Sequence, residues 1–265
     1  MKRQGLVCVI AVASLTLAAP SAAGRSATGP SSESAGLAAV VTAPSQSKVA
    51  FNPRARFARE FTRRGDADTS VRHIEHVREL QYRLTWAGVY SGPVTGYFGE
   101  LTQRAVKQFQ QQYDLRVTGH ANFQTWEELI PLTVRGKRAI PGRCLLRNAW
   151  HACYDRQHHQ VTLWKRGTLW NSWLVRGGSS SHPTRLGHFE VYYRDKDHVS
   201  SIYDLPMPYS QFFDRGEAFH GSVLMLDPFV DHSHGCVNMY IEDARQLWKL
   251  TSTKPLKVDV YGAWD

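Results

Sequence analysis

After its first 23 residues the sequence has no apolar run that could span a membrane, and it has no HExxH motif. The first absence excludes a later transmembrane helix, which needs about 20 apolar residues. The second removes the most specific sequence sign of a zinc peptidase. The basic residues are dispersed rather than gathered in one stripe, which disfavours nucleic acid as a partner. The apolar fraction of 42% is enough for folded cores, and 265 residues leave room for two domains and linkers.

The first 23 residues are predicted to be a secretory signal peptide. Lys2 and Arg3 precede an apolar run over residues 6–19, and small residues at 21–23 form a cleavage site. The alternative is an uncleaved anchor, although the run is short for a span. We expect a secreted protein of the cell wall or periplasm, with no stable membrane span after cleavage. Cleavage lowers the net charge from +9 by two, and a basic exported protein is attracted to anionic wall polymers.

Cysteine is scarce, and its count is informative. Cleavage would remove Cys8 and leave three cysteines, so one thiol stays unpaired in an oxidising compartment. Cys144 and Cys153 are close enough in sequence to close a small loop, which predicts a disulfide between them and a free thiol at Cys236. The alternative is three free thiols, two of them buried.

Composition and periodicity divide the remaining chain into four parts. Residues 24–69 are first rich in Ser, Ala, Gly and Pro and then basic, which predicts a flexible linker. Apolar residues at helical spacing fill residues 70–132. A short basic linker is predicted over residues 133–148. Residues 149–265 contain short alternating segments and one amphipathic helix, which predicts a mainly β domain.

A repeat within residues 70–132 predicts three helices with two matching turns. Val-Thr-Gly occurs at 94–96 and 117–119, and each glycine is followed six residues later by a threonine, Thr102 or Thr125. We interpret these threonines as helix N-caps. The segment resembles the peptidoglycan-binding domain 1 family. The matching residues include Leu80-Gln81, Gly92-Pro93-Val94-Thr95-Gly96, Phe98-Gly99, Phe109-Gln110, Gly119 and Thr125-Trp126. The resemblance implies that peptidoglycan is a partner.

Near the C-terminus, residues 232–238 read His-Ser-His-Gly-Cys-Val-Asn, and His220-Gly221 precedes the cysteine by sixteen residues. A thiol attacks a carbonyl as its thiolate, so it needs a base or a field that lowers its pKa. His220 is the candidate base for Cys236, and the Gly221 carbonyl could orient its imidazole. Spacing alone leaves open a buried structural cysteine and an ordinary core histidine.

Residues 149–262 resemble the L,D-transpeptidase (YkuD-like) catalytic domain. The matching residues include Gln160-Val161, Gly177-Gly178, Pro183-Thr184, Gly187-His188-Phe189, His220-Gly221 and Ser233-His234-Gly235-Cys236. The resemblance implies a β-sandwich-like fold that needs no cofactor or metal. It assigns Cys236 as nucleophile, His220 as base and Gly221 as its orienting carbonyl. It also places the amides of Gly235 and Cys236 in an oxyanion hole.

Three further residues are expected to shape this site rather than perform chemistry. They are Ser233, His234 and Asn238. Many members of the family carry arginine where Asn238 stands, so the sequence leaves open how a substrate carboxylate would be bound.

The resemblance implies that the donor and acceptor stems of peptidoglycan are the substrates. Cys236 would release D-alanine from a tetrapeptide stem, and the acyl group would pass to a second stem as a 3→3 cross-link. Water as acceptor would make an L,D-carboxypeptidase. The sequence also leaves open a non-catalytic wall-binding protein and a zinc peptidase. The zinc enzyme would draw its ligands from His188, His220, Asp231, His232 and His234.

Overall fold

The computed structural model describes residues 52–264. The predicted signal peptide, Cys8 and the first part of the predicted linker lie outside these residues. Within them, the mainly β domain and the smaller helical domain that precedes it confirm the predicted fold class. The helices of the described part are too short to span a bilayer.

The helical domain has three α-helices, α1 (Val77–Trp86), α2 (Glu100–Gln112) and α3 (Phe123–Leu132). Apolar residues spaced three or four apart put one face of each helix into a common core. Leu80, Leu84, Phe98, Phe109, Trp126 and Leu129 are fully buried there. This core is formed by the segment that the repeat predicted to be three helices.

The two repeats are built around two buried glutamines. Gln81 Nε2 donates to Thr102 Oγ1 at 3.0 Å, while Gln81 Oε1 accepts from the amides of Thr95 (3.0 Å) and Gly96 (2.9 Å). One side-chain amide thereby joins a turn to the following helix. Buried amides satisfied in this way hold the turn in a single conformation.

Gln110 repeats this pattern in the second turn. Its Nε2 donates to Thr125 Oγ1 at 3.0 Å, and its Oε1 accepts from Thr118 N (2.8 Å) and Gly119 N (2.9 Å). The prediction that Thr102 and Thr125 are N-caps is therefore wrong. The caps lie three residues earlier, at Gly99 and at Asn122, because both threonine hydroxyls are used by the glutamines inside the core.

The β domain contains two sheets and one α-helix. Its strands are β1 (Trp150–Asp155), β2 (Gln160–Lys165), β3 (Thr168–Leu174), β4 (Gly187–Glu190), β5 (Tyr193–Val199), β6 (Pro206–Asp214), β7 (Glu217–Gly221), β8 (Val237–Met239) and β9 (Leu256–Tyr261), and its helix is α4 (Ile241–Thr251). The five-stranded sheet has the order β3-β2-β1-β9-β4, and the four-stranded sheet has the order β5-β6-β7-β8. Pairs β1–β9 and β7–β8 are parallel. A core of residues from both sheets and α4 includes Trp173, Phe219, Val258 and Leu247.

The expected flexible linker over 24–69 differs from the structure in its second part. Phe57, Arg59 and Thr62 are buried, and the Phe57 amide donates to Trp170 O at 3.1 Å. Thr62 exchanges backbone hydrogen bonds with Ala121. Composition suggested solvated arginines, but Arg59 is buried because a distant carboxylate neutralises it.

The predicted linker over 133–148 also has structure of its own. Thr133 and Val134 are buried, and two short 3₁₀ helices occupy Lys137–Ala139 and Gly142–Leu145. Cys144 and Cys153 are joined by a disulfide, which ties the second of these turns to β1. The connection is therefore packed against the β domain.

A buried group of charged residues joins the helical domain to the β domain, and we call it the junction cluster. It consists of Arg59, Glu60, His76, Glu79, Arg83 and Asp243. Glu79 pairs with Arg59 at 2.8 Å and with Arg83 at 2.7 Å, and both guanidinium groups donate to Ser172 O on β3. Burial alone would raise the pKa of Glu79, but the two guanidinium groups lower it to about 2.

Candidate active site

His220 and Asn238 are partners in the parallel pairing of β7 with β8, and Cys236 immediately precedes β8. Paired residues on neighbouring strands share a face of the sheet, as do residues two apart on one strand. The three side chains accordingly line one cavity of about 460 Å³. The structure thus brings together the cysteine and the histidine that the sequence singled out.

The Gly221 carbonyl orients the imidazole of His220. Nδ1 lies 2.9 Å from Gly221 O, and a carbonyl oxygen only accepts, so Nδ1 carries the proton. Nε2 is therefore the atom that can take a proton. Burial is the main cause that lowers the pKa of His220, to about 4, with smaller contributions from the charges of His198 and Arg176. His220 is consequently neutral at pH 7 and able to act as a base.

The thiol of Cys236 is also held in its neutral form. Burial raises its pKa to about 11, and the negative charge of Glu217 adds to the rise, while a backbone hydrogen bond from Ala218 opposes it. Sγ lies 3.6 Å from Gly216 O. The pair therefore rests as thiol and imidazole, so of the two means of activation that the sequence left open, a base or a field that lowers the thiol pKa, the structure favours the base.

The backbone before Cys236 differs from the expected oxyanion hole in one detail. The Gly235 amide donates to Ser233 Oγ at 3.0 Å, and Ser233 Oγ donates to Cys236 O at 2.5 Å. Gly235 has φ of 122°, and a Cβ there would lie 3.1 Å from Glu217 Oε1. Gly235 and Ser233 therefore shape the loop that carries the nucleophile, and the Cys236 amide is the better candidate to face an oxyanion.

Thr184 is a supporting residue to which sequence reasoning gave no role. Its buried hydroxyl donates to Gly235 O at 2.8 Å and accepts from the Gly178 amide at 3.1 Å. It lies 52 residues before Cys236 in the chain, so no local pattern connects them. Its place within the Pro183-Thr184 match was the one available signal.

His234 forms part of an aromatic rim on the cavity. Its ring stacks on Tyr203 with centroids 4.9 Å apart and lies 5.3 Å from the ring of His182. Ile202 and Leu224, which also line the cavity, are exposed. The rim gives the cavity an apolar mouth.

Charged residues missed by sequence reasoning also line the cavity. Burial raises the pKa of Glu217 to about 6, against the opposing effect of the Arg185 amide that donates to it. Arg176 is buried, and its Nη1 donates to Val230 O at 3.1 Å. Neither residue belongs to the His-Gly or Ser-His-Gly-Cys motif, so the sequence offered no local sign of them.

The residues of the zinc alternative do not form a group with metal-ligand spacing, although His220, His232 and His234 line the same cavity. In residues 52–264, the groups with metal-ligand spacing are Cys144, Cys153 and Asp259, and His76, Glu79 and Asp243. The first contains the disulfide, and in the second Glu79 is already paired with two arginines. His188 instead contacts Asp259 on β9, and His232 lies against Trp264.

The fold and the site together define a two-domain protein in which a small helical domain precedes a mainly β domain with a cysteine–histidine site. Residues 74–129 match the family model described as a putative peptidoglycan binding domain. Residues 150–260 match the model of the L,D-transpeptidase catalytic domain. The chain therefore carries an L,D-transpeptidase catalytic domain preceded by a peptidoglycan-binding domain, which confirms both resemblances seen in the sequence.

The individual matches have low sequence identity or cover only a short part of the chain. An L,D-transpeptidase structure from Stackebrandtia nassauensis is 22% identical and aligns over 71% of this chain and 91% of that one, with a TM-score of 0.48. One from Xylanimonas cellulosilytica is 24% identical over 76% and 97% of the two chains, with a TM-score of 0.42. The spore cortex-lytic enzyme of Bacillus cereus is 42% identical over 59 residues, which are 22% of this chain and 23% of that relative.

Proposed function

We propose that the protein is an exported L,D-transpeptidase that forms a thioester between Cys236 and the stem peptide of peptidoglycan. The observation that carries this proposal is the neutral pair in one cavity. His220 is fixed by the Gly221 carbonyl with Nε2 unprotonated, and Cys236 is the free thiol that lines the same cavity. The match to the catalytic-domain model supports the choice of substrate.

In the first step, Cys236 Sγ attacks the carbonyl carbon of the third residue of a tetrapeptide stem. His220 Nε2 accepts the thiol proton as the S–C bond forms, since the thiol alone is not acidic enough to ionise. The Cys236 amide donates to the oxyanion. When the C–N bond breaks, the imidazolium returns the proton to the leaving nitrogen, which departs as D-alanine.

In the second step, the side-chain amine of a diamino acid on another stem attacks the thioester. His220, neutral again, removes a proton from the attacking nitrogen, and the thiol regains a proton as the C–S bond breaks. The product is a 3→3 cross-link. The apolar mouth around Tyr203 and His234 suits acceptor and donor peptides better than free water.

The helical domain is proposed to bind the glycan-peptide polymer that the catalytic domain modifies. Within residues 52–264 both belong to one compact unit, and the junction cluster joins them. A fixed arrangement keeps the catalytic cavity at a constant position relative to the bound polymer. Export is supported by the Cys144–Cys153 disulfide, because disulfides persist in oxidising compartments.

Intact-protein mass spectrometry with a carbapenem tests the nucleophile. We expect one covalent adduct on the wild-type protein and none on Cys236→Ala. A parallel assay with tetrapeptide stems should release D-alanine and yield cross-linked dimers. If neither an adduct nor D-alanine forms with folded protein, the enzymatic proposal fails and a wall-binding protein remains. Release of D-alanine without dimers would identify water as the acceptor.

A further inference from the structure

Arg176 lies in line with the catalytic histidine across the sheet. His220 pairs with Asn238 on one side, and Arg176 pairs with Asn238 on the other through backbone hydrogen bonds of 2.9 and 2.8 Å. Directly opposite residues project from the same face, with Cβ atoms about 5 Å apart. Arg176, Asn238 and His220 therefore form one row, and all three line the cavity that contains Cys236.

The guanidinium of Arg176 is buried with few partners. Its side chain is 5% exposed, and Nη1 donates to Val230 O at 3.1 Å. Among residues 52–264, its Nε has no hydrogen-bond partner. The nearest carboxylate, Asp231 Oδ2, is 4.0 Å away on a side chain that is 80% exposed. The guanidinium of Arg176 has five N–H donors, and its main hydrogen bond is to one backbone carbonyl.

The other buried arginines show how unusual this is. Arg59 and Arg83 share Glu79 and donate to Ser172 O, so their charges are neutralised inside the protein. A buried charge without a partner is strongly unfavourable. Arg176 keeps its charge at the wall of an open cavity, where an anionic ligand could neutralise it. A purely structural arginine would be expected to have a partner like Glu79.

We propose that Arg176 binds a carboxylate of the stem peptide and thereby positions the scissile carbonyl against Cys236. This rests on the proposed function, because the stem is its substrate. Arginine suits the task, since its planar fork binds a carboxylate through two parallel hydrogen bonds. Two stem groups share this chemistry, the terminal carboxylate of D-alanine and the side-chain carboxylate of the diamino acid. Asn238, next in the row, is uncharged, so the guanidinium of Arg176 is the permanently charged group of this row.

The test compares synthetic tetrapeptides that differ only in charge. One set carries the terminal carboxylate or a terminal amide, and the other carries a free or amidated side-chain carboxylate on the diamino acid. For wild-type protein we expect kcat/KM to fall about 10- to 100-fold when the recognised carboxylate is amidated, as for the loss of a charge-assisted hydrogen bond. The set that shows the fall identifies the group.

Arg176→Gln should reduce this discrimination to near unity, chiefly by raising KM for the acid. Arg176→Lys, which keeps the charge without the fork, should retain part of it. Arg185→Gln is the matched control, because Arg185 lines the same cavity but is already paired with Asp214, and its acid-to-amide ratio should equal that of wild type. If Arg176→Gln lowers activity equally on acid and amide, its role is structural and the proposal is overturned.

A binding experiment tests the carboxylate site independently of the proposed enzymatic activity. Calorimetry with Cys236→Ala and with Cys236→Ala/Arg176→Gln measures affinity for the acid and amide peptides without turnover. Weaker acid binding only in the double variant supports the carboxylate site even if no D-alanine is ever released. Equal binding of all peptides by both variants overturns it, whatever the outcome of the activity assays. Thermal melting of each variant confirms that it is folded.

Discussion

His76 and His220 are both buried histidines, with 1% and 7% of their surface exposed, yet they are held in opposite charge states. Burial alone would lower the pKa of each. At His76, the carboxylates of Glu60 and Asp243, 2.6 and 3.1 Å from its two nitrogens, more than offset burial and raise the pKa well above its usual value. At His220, the neighbour is a neutral carbonyl, and the pKa falls to about 4.

The comparison shows that the hydrogen-bond partner, more than the depth of burial, decides the protonation state of a buried histidine. His76 is an imidazolium that balances carboxylates between two domains, and its ring also meets Tyr240 edge-on. His220 keeps one nitrogen unprotonated in a cavity, which is the state that a general base needs. The following predictions test this contrast, from the largest expected effect to the smallest.

Removing the neutral histidine should have the largest effect. His220→Asn is expected to slow formation of the carbapenem adduct at Cys236 about 10²- to 10⁴-fold, because no other group takes the thiol proton. Time-resolved mass spectrometry measures the rate. His232→Asn is the matched control, since His232 lines the cavity without a bond to Gly221, and its rate should stay within about tenfold of wild type. An unchanged rate in His220→Asn would show that another base acts.

Breaking the charged environment of His76 should affect stability instead. Glu79→Gln leaves Arg59 and Arg83 buried without their carboxylate, and we expect a loss of about 3–5 kcal/mol in the free energy of unfolding. Urea denaturation measures the loss, and Glu127→Gln on the exposed face of α3 is the control. The adduct rate of the folded variant at 25 °C should match that of wild type. A loss as small as that of the control would mean that the cluster contributes little.

The charge of His76 should appear as a slope of stability against pH. Because its folded pKa lies above the unfolded value of about 6.5, its contribution is complete below that pH and is lost as pH rises through the folded pKa. Wild-type urea midpoints should therefore decline on the alkaline side of neutrality, and those of His76→Gln should decline less. Parallel curves for the two proteins would contradict a charged His76.

The pH profile of the reaction should show the smallest change. Since the pKa of His220 is about 4, the adduct rate should be nearly constant between pH 7 and pH 5.5 and should fall as pH approaches 4. An ordinary histidine would lose most of its activity over that range. Iodoacetamide should react slowly with the free protein at pH 8, because the thiol pKa is about 11. A midpoint near 6.5 would refute the lowered pKa.

Local patterns predicted the elements of the chain well. The helical spacing in residues 70–132 and the short alternating segments in residues 149–265 each describe contacts within a few residues, so the helices and strands appear in the segments where they were expected. Assignments that depended on distant partners were less accurate. Thr102 and Thr125 have the sequence pattern of caps, but each accepts a hydrogen bond from a buried glutamine. Those glutamines lie 21 and 15 residues away, so no local pattern indicates the contacts.

The basic segment before residue 70 shows the same limit. Arg59 was expected in a flexible linker, since nothing nearby in the sequence could neutralise it in a core. Its partners are Glu79, twenty residues away, and Ser172 on β3. A buried guanidinium is tolerated only where such groups converge, and composition carries no information on that convergence.

The sequence by itself determined the order of the two domains and singled out the candidate pair Cys236 and His220, because both can be recognised from local motifs. Only the tertiary structure decided the charge states. It placed His76 between two carboxylates, His220 against a carbonyl, and Arg176 in the row of His220, where its nearest carboxylate is the exposed Asp231 at 4.0 Å. A pKa depends on desolvation and on charges within a few ångströms, and those neighbours come from segments far apart in the chain.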